Sequence, residues 1–135
     1  MRHRLPYLLL LGLTFGVQGR AEPSLRCELS YGGHAQTVTA RPVSDPYAVP
    51  SVDIAGRFLF KPVLVGEGER LRRVLVYVYR QAPERAVLIQ QAKFLPPFPR
   101  ADANGQWPLT GRQYLYAGEL ERELMYQCVL EGLRP

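Results

Sequence analysis

Two short runs in the chain carry side chains suited to recognition. In Leu71–Arg80, Val74, Val76 and Val78 alternate with Leu75, Tyr77 and Tyr79, so an extended backbone puts both tyrosines on one face together with Arg73. Leu109–Tyr116 repeats the pattern, with Tyr114 and Tyr116 sharing a face with Arg112. A tyrosine ring is a rigid apolar plate with a polar tip, and a guanidinium is a planar charge with a fork of donors. Laid side by side, the two strands predict a platform of Arg73, Tyr77, Tyr79, Arg112, Tyr114 and Tyr116 that docks a protein surface or stacks on a sugar ring. The same spacing suits core tyrosines with buried rings and hydroxyls at the rim. The sequence leaves both readings open.

Residues for bond-making chemistry are sparse. A histidine-based triad depends on His34, beside the Gly32-Gly33 turn, acting with Asp45 and Ser44 or Ser51, and no Gly-x-Ser-x-Gly elbow accompanies them. Glu119, Glu121 and Glu123 form the one acidic cluster, but alternate spacing places them on an outward strand face, where like charges are solvated rather than poised as an acid and a base. Asp102-x-Asn104-Gly105 lacks the terminal bidentate glutamate of a calcium loop and reads as a type I′ turn. Gly66-x-Gly68 is followed by neither a Lys-Ser/Thr pair nor a helix, so it is no phosphate cradle. No metal and no other cofactor is expected.

The first 21 residues set the compartment. Arg2 and Arg4 precede the apolar run Leu8–Val17, which is shorter than the ~20 residues a membrane helix needs, and Gly19-Arg20-Ala21 offers small residues for cleavage. Residues 1–21 therefore read as an export signal, and residues 22–135 as a single domain. Of the 17 basic residues, Arg2, Arg4 and Arg20 belong to that signal, which leaves the domain nearly balanced against 12 acids. Such a balance lacks the basic footprint of a nucleic-acid binder. Lys61 and Lys93 are the only lysines, a bias expected of a GC-rich bacterial genome, which points to a periplasmic or secreted protein. Arg26 directly before Cys27 does not fit a lipid-attachment signal, and no second apolar run is long enough to span a bilayer. In an oxidising compartment Cys27 and Cys128, near the two ends of the domain, are expected to form one disulfide.

The elements that position these residues read as strands. Leu25, Cys27, Leu29 and Tyr31 alternate with polar residues, and Gly32-Gly33 turns the chain into His34–Arg41. Three prolines between Pro42 and Pro50 forbid a helix and predict an extended surface loop. Arg57–Val65 contains Pro62, which implies a bulge or an edge position, with the bulge preferred. Leu71–Arg80 and Ala86–Phe94 form a hairpin at the sheet centre, and Pro96-Pro97-Phe98-Pro99 crosses between sheets. Leu120–Leu130 suits a strand, although Leu120, Leu124 and Cys128 at four-residue spacing also fit a short helix. These elements predict an all-β, antiparallel Ig-like sandwich, with a small barrel as alternative. The expected role is a non-enzymatic interaction module recognising a protein partner or a cell-envelope component. The alternatives are a small hydrolase or carbohydrate-acting enzyme, and a structural envelope component.

Overall fold

The computed structural model describes residues 16, 19, 21–116, 118 and 122–134. The expected export signal, apart from Gly16, Gly19 and Ala21, lies outside the described residues, as do Glu119, Leu120 and Glu121. Among the described residues no helix is long and apolar enough to cross a membrane.

Among the described residues ten strands form two sheets. The first contains β1 (Ser24–Tyr31), β2 (His34–Ala40), β8 (Trp107–Pro108), β9 (Gln113–Tyr116) and β10 (Glu123–Glu131) in the order β2-β1-β10. The far edge of β10 is shared by β9, at Glu123–Tyr126, and β8, at Val129–Leu130. The second contains β3 (Pro42–Val43), β4 (Val52–Ile54), β5 (Phe58–Glu67), β6 (Arg70–Gln81) and β7 (Ala86–Phe94) in the order β5-β6-β7, with β3 and β4 sharing the far edge of β5. The fold is the expected all-β sandwich. Among the described residues no strand is common to both sheets, so the barrel alternative is not realised.

The first and last strands, β1 and β10, meet at the centre of the first sheet. β1 and β10 pair antiparallel along their whole length, with Cys27 directly opposite Cys128, and the two sulfurs are bonded at 2.07 Å. β10 is a strand because its alternation is satisfied on both sides: Leu124, Tyr126, Cys128 and Leu130 point inward while the backbone pairs with β1. The helical alternative for this segment is therefore corrected. A helix would have removed the partner that β1 needs on its second edge.

Inward residues of both sheets build one core. Leu25, Leu29, Leu124 and Leu130 from the first sheet meet Phe58, Phe60, Leu64, Val74, Val76 and Val78 from the second. Tyr31 meets Phe58 edge-on at 5.5 Å, and Phe60 lies 5.1 Å from Tyr126. Tyr126 is fully buried, and its hydroxyl donates to Gln90 Oε1 of β7 at 2.6 Å. Gln90 Nε2 in turn donates to Gln113 Oε1 at 3.1 Å, and Gln113 Nε2 to the Thr110 carbonyl at 2.9 Å. This relay ties the edge of the second sheet to the first and satisfies a phenol that would otherwise be buried without a partner.

Four local expectations are corrected. β7 is the edge strand of its sheet and pairs with β6 alone among the described residues, so the β6–β7 hairpin does not lie at the sheet centre. The ladder between β5 and β6 slips at Val65/Gly66, not at Pro62. Pro62 instead occupies the stretch of β5 between the residues paired to β4, which end at Phe60, and those paired to β3, which begin at Leu64, so on that side its missing N–H removes no ladder bond. The 42–50 segment is not uniformly extended: Pro42–Val43 pair parallel to Leu64–Val65, and Pro46–Ala48 make one 3₁₀ turn with Pro46 in its first turn and Asp45 Oδ1 accepting from the Tyr47 N–H at 2.9 Å. At Asp102–Gly105 only the glycine has positive φ, and Asp102 Oδ1 accepts from the N–H groups of Asn104 and Gln106, so the turn is side-chain-capped rather than type I′.

Two outcomes follow. A Cβ on Gly66 would collide with the Arg70 carbonyl oxygen inside the bulge, so Gly66→Ala is expected to lower stability by about 1–3 kcal/mol in denaturant melts. Burial pushes the Tyr126 phenol up from 10.0 to about 12. The unfolded chain then loses this proton first as pH rises, so the Tyr126 contribution is intact below about pH 10 and disappears between about pH 10 and 12. Tyr126→Phe should flatten that part of the alkaline decline, read as the denaturation midpoint against pH.

Candidate binding site

The second sheet has two unlike faces, and β6 shows the difference. Val74, Val76 and Val78 are fully buried against the first sheet, whereas Arg73, Leu75, Tyr77 and Tyr79 project from the opposite side. One end of that outer face is roofed by the 42–50 segment, where Val43 and Val49 cover Val63, Val65 and Leu75 and make a small second core. The prolines that keep this segment from forming a longer helix also stiffen it as a roof. Beyond the roof the face opens, and the residues there are the two tyrosines.

At this boundary lies a cleft of about 260 Å³. Leu75, which is 5% exposed, forms its floor. Tyr77 and Tyr79 form one wall, with ring centroids 6.4 Å apart and planes 24° from parallel. Pro46 and Tyr47 overhang from the 3₁₀ turn, and Tyr47 is 90% exposed. Lys61, directly opposite Tyr77 on β5, and Arg73 bring two cations. Among the described residues no acid pairs with either cation, and the hydroxyls of Tyr47, Tyr77 and Tyr79 have no protein partner. The Arg73 Nε–H is shielded from solvent and has no acceptor. Asp53, on the same face, already accepts from the Gly56 N–H at 3.0 Å and from Gln81 Nε2.

The structure thus brings together Arg73, Tyr77 and Tyr79 but not the second half of the expected platform. β6 pairs with β5 and β7, whereas β9 pairs with β10 in the other sheet. Tyr114 and Tyr116 are 53% and 57% exposed on the outer face of the first sheet, with Leu115 turned into the core and Arg112 exposed just ahead of them. Tyr116 donates to Glu123 Oε2 at 2.7 Å. The two tyrosine pairs therefore sit on opposite sides of the sandwich, and the side-by-side platform is corrected. Tyr47 and Lys61 were not signalled by the sequence. Lys61 was legible only as an outward residue once Pro62 and the register of β5 were known.

Residues for acid–base work do not converge. His34 borders a shallow cavity lined by Leu29, Tyr31, Ala35, Gln36, Ile54 and Ala55, which includes neither a serine nor an acid, and Asp45 is engaged at its turn. Among the described residues no three His, Cys, Asp or Glu side chains group to hold a metal ion. A larger, mostly apolar opening of about 330 Å³ lies where β2 faces Pro62 and Leu64 beneath the 42–50 segment. It has few polar groups to orient a ligand, whereas the tyrosine cleft has two cations and three hydroxyls.

The chain matches no protein-family model, no curated protein and no solved structure.

Floor and rim of the cleft should separate energetically. Leu75→Ala is expected to destabilise the fold by about 2–4 kcal/mol, because it empties the small second core. Tyr47→Ala should stay within about 0.5 kcal/mol, because the side chain is almost wholly in water. Chemical denaturation of both variants checks the difference.

Proposed function

We propose that this protein is a non-enzymatic interaction module acting outside the cytoplasm, periplasmic or secreted, which recognises a protein partner or a cell-envelope component through the Tyr77 and Tyr79 cleft. The observation that carries this reading is the placement of Arg73, Tyr77 and Tyr79 on a part-wet outer face beside a concave opening instead of in the core. Tyrosine and arginine are the residue types that concentrate binding energy when a partner desolvates them, since they present large area with few rotatable bonds. The apolar leader pattern and the end-to-end disulfide support an exported location. The absence of a convergent acid, base and nucleophile among the described residues favours binding over hydrolysis.

A photoreactive residue in place of Tyr47, introduced in the native compartment, should crosslink the partner. The doubly substituted Tyr77→Ala, Tyr79→Ala chain should lose that adduct while its melting temperature changes by only a few degrees. A crosslinker at Tyr114 serves as the control on the opposite face. Equal adducts from both faces, or collapse of the melting transition in the double variant, would overturn the assignment of the site.

A further inference from the structure

We infer that the tyrosine cleft takes a compact oxyanion, a phosphate or carboxylate group, carried by whatever component the module recognises. The inference rests on the binding-module reading above and goes further by assigning the chemistry of the recognised group.

Charge is the first observation. Lys61 and Arg73 reach the same opening from neighbouring strands, and no acid among the described residues pairs with either. Elsewhere in the fold arginines do find carboxylates: Arg26 binds Glu131 and Glu28, Arg41 binds Glu22, and Arg134 binds Glu69. Asp53, on the same face, and Asp45, at the 3₁₀ turn, accept from neutral donors, the Gly56 N–H and Gln81 Nε2 for the first and the Tyr47 N–H for the second, and neither is ion-paired with Lys61 or Arg73. Two cations with no carboxylate in contact, at one concave site, favour an anionic occupant.

Donor chemistry is the second observation. The Arg73 Nε–H is shielded and has no acceptor, an unfavourable arrangement that an acceptor supplied at the cleft would relieve. The fork of a guanidinium matches two oxygens of a carboxylate or phosphate. The three tyrosines around the cleft carry hydroxyls that can donate as well, above the apolar Leu75 floor. At about 260 Å³ the opening suits an anionic group and its immediate attachment rather than an extended polymer.

The Arg73 Nε–H is also the reporter. In the purified, disulfide-bonded protein labelled with ¹⁵N, its resonance is followed while inorganic phosphate, and separately acetate, replaces chloride at constant ionic strength. A saturable shift of Arg73 Nε–H with either anion is expected, with the Arg112 Nε–H on the opposite face unmoved. Saturation by phosphate alone assigns a phosphoryl group, and saturation by acetate assigns a carboxylate. Lys61→Gln, whose folding is verified from the backbone amide spectrum, should weaken the response by ~10-fold, as loss of one charged contact implies. Equal, non-saturating drifts at Arg73 and Arg112 overturn the inference. If that result accompanies intact loss of the crosslink in the Tyr77→Ala, Tyr79→Ala chain, the oxyanion assignment falls while the binding module stands.

Discussion

The pairing of β1 with β10, locked by Cys27 and Cys128, is the constraint on which the rest of the sandwich depends. The two cysteines are 101 positions apart in sequence yet directly opposed in the ladder, with Cα atoms 4.1 Å apart. Holding such distant segments together removes unfolded-state freedom worth about 4–5 kcal/mol in the chain-entropy description, comparable with the stability of a small domain. The backbone of Cys128 also anchors the segment that enters β9: its carbonyl accepts from Leu109, and its N–H donates to Thr110 Oγ1 at 2.9 Å. Thr110 continues through Gln113 and Gln90 to Tyr126, so the polar relay between the sheets begins one residue from the covalent link. A displaced β10 would cost β8 and β9 the strand they pair with and Tyr126 its place in the core.

The second sheet is a consecutive antiparallel run of β4 to β7, and its significance lies in the asymmetry of its surfaces. One side supplies the aromatic and valine half of the core. The other is too apolar near Val63, Val65 and Leu75 to face water, and the proline-rich segment between the sheets folds over it. That cover stops short of Tyr77 and Tyr79, and its 3₁₀ turn raises Tyr47 at the boundary. The cleft is thus the margin of a partial roof, which explains why an apolar floor, aromatic walls and long cationic side chains occur together there.

Much of this architecture was legible where the signal is local. Alternation identified β1, β6 and β10 because a period of two records which side of a strand is buried, and the two cysteines at the domain ends forecast the strands that must touch. Arg73, Tyr77 and Tyr79 were legible as one face for the same reason. Their neighbours were not. Period alone does not say which strand lies alongside, so Tyr114 and Tyr116 were placed beside β6 when pairing with β10 carries them to the other sheet. Pro62 announced an irregularity, but it does not reveal that the far edge of β5 is divided between β3 and β4 at that point. Tyr47 and Lys61 join the cleft through a turn and a cross-strand register, and Gln90 and Gln113 become structural only when two edges approach. Each depends on contacts between residues remote in sequence.

The covalent link also determines how the domain responds to pulling. Tension applied through the segments preceding β1 and following β10 enters at Ser24 and leaves at Glu131, three residues outside Cys27 and Cys128 respectively. The load then passes across the sulfur bridge, and the remaining strands, including β6 and its tyrosines, lie in a closed loop that bears none of it. An oxidised molecule held between two anchors would therefore behave as a short inextensible clasp, with its recognition surface kept folded under strain, whereas the reduced chain would pay out the whole intervening length.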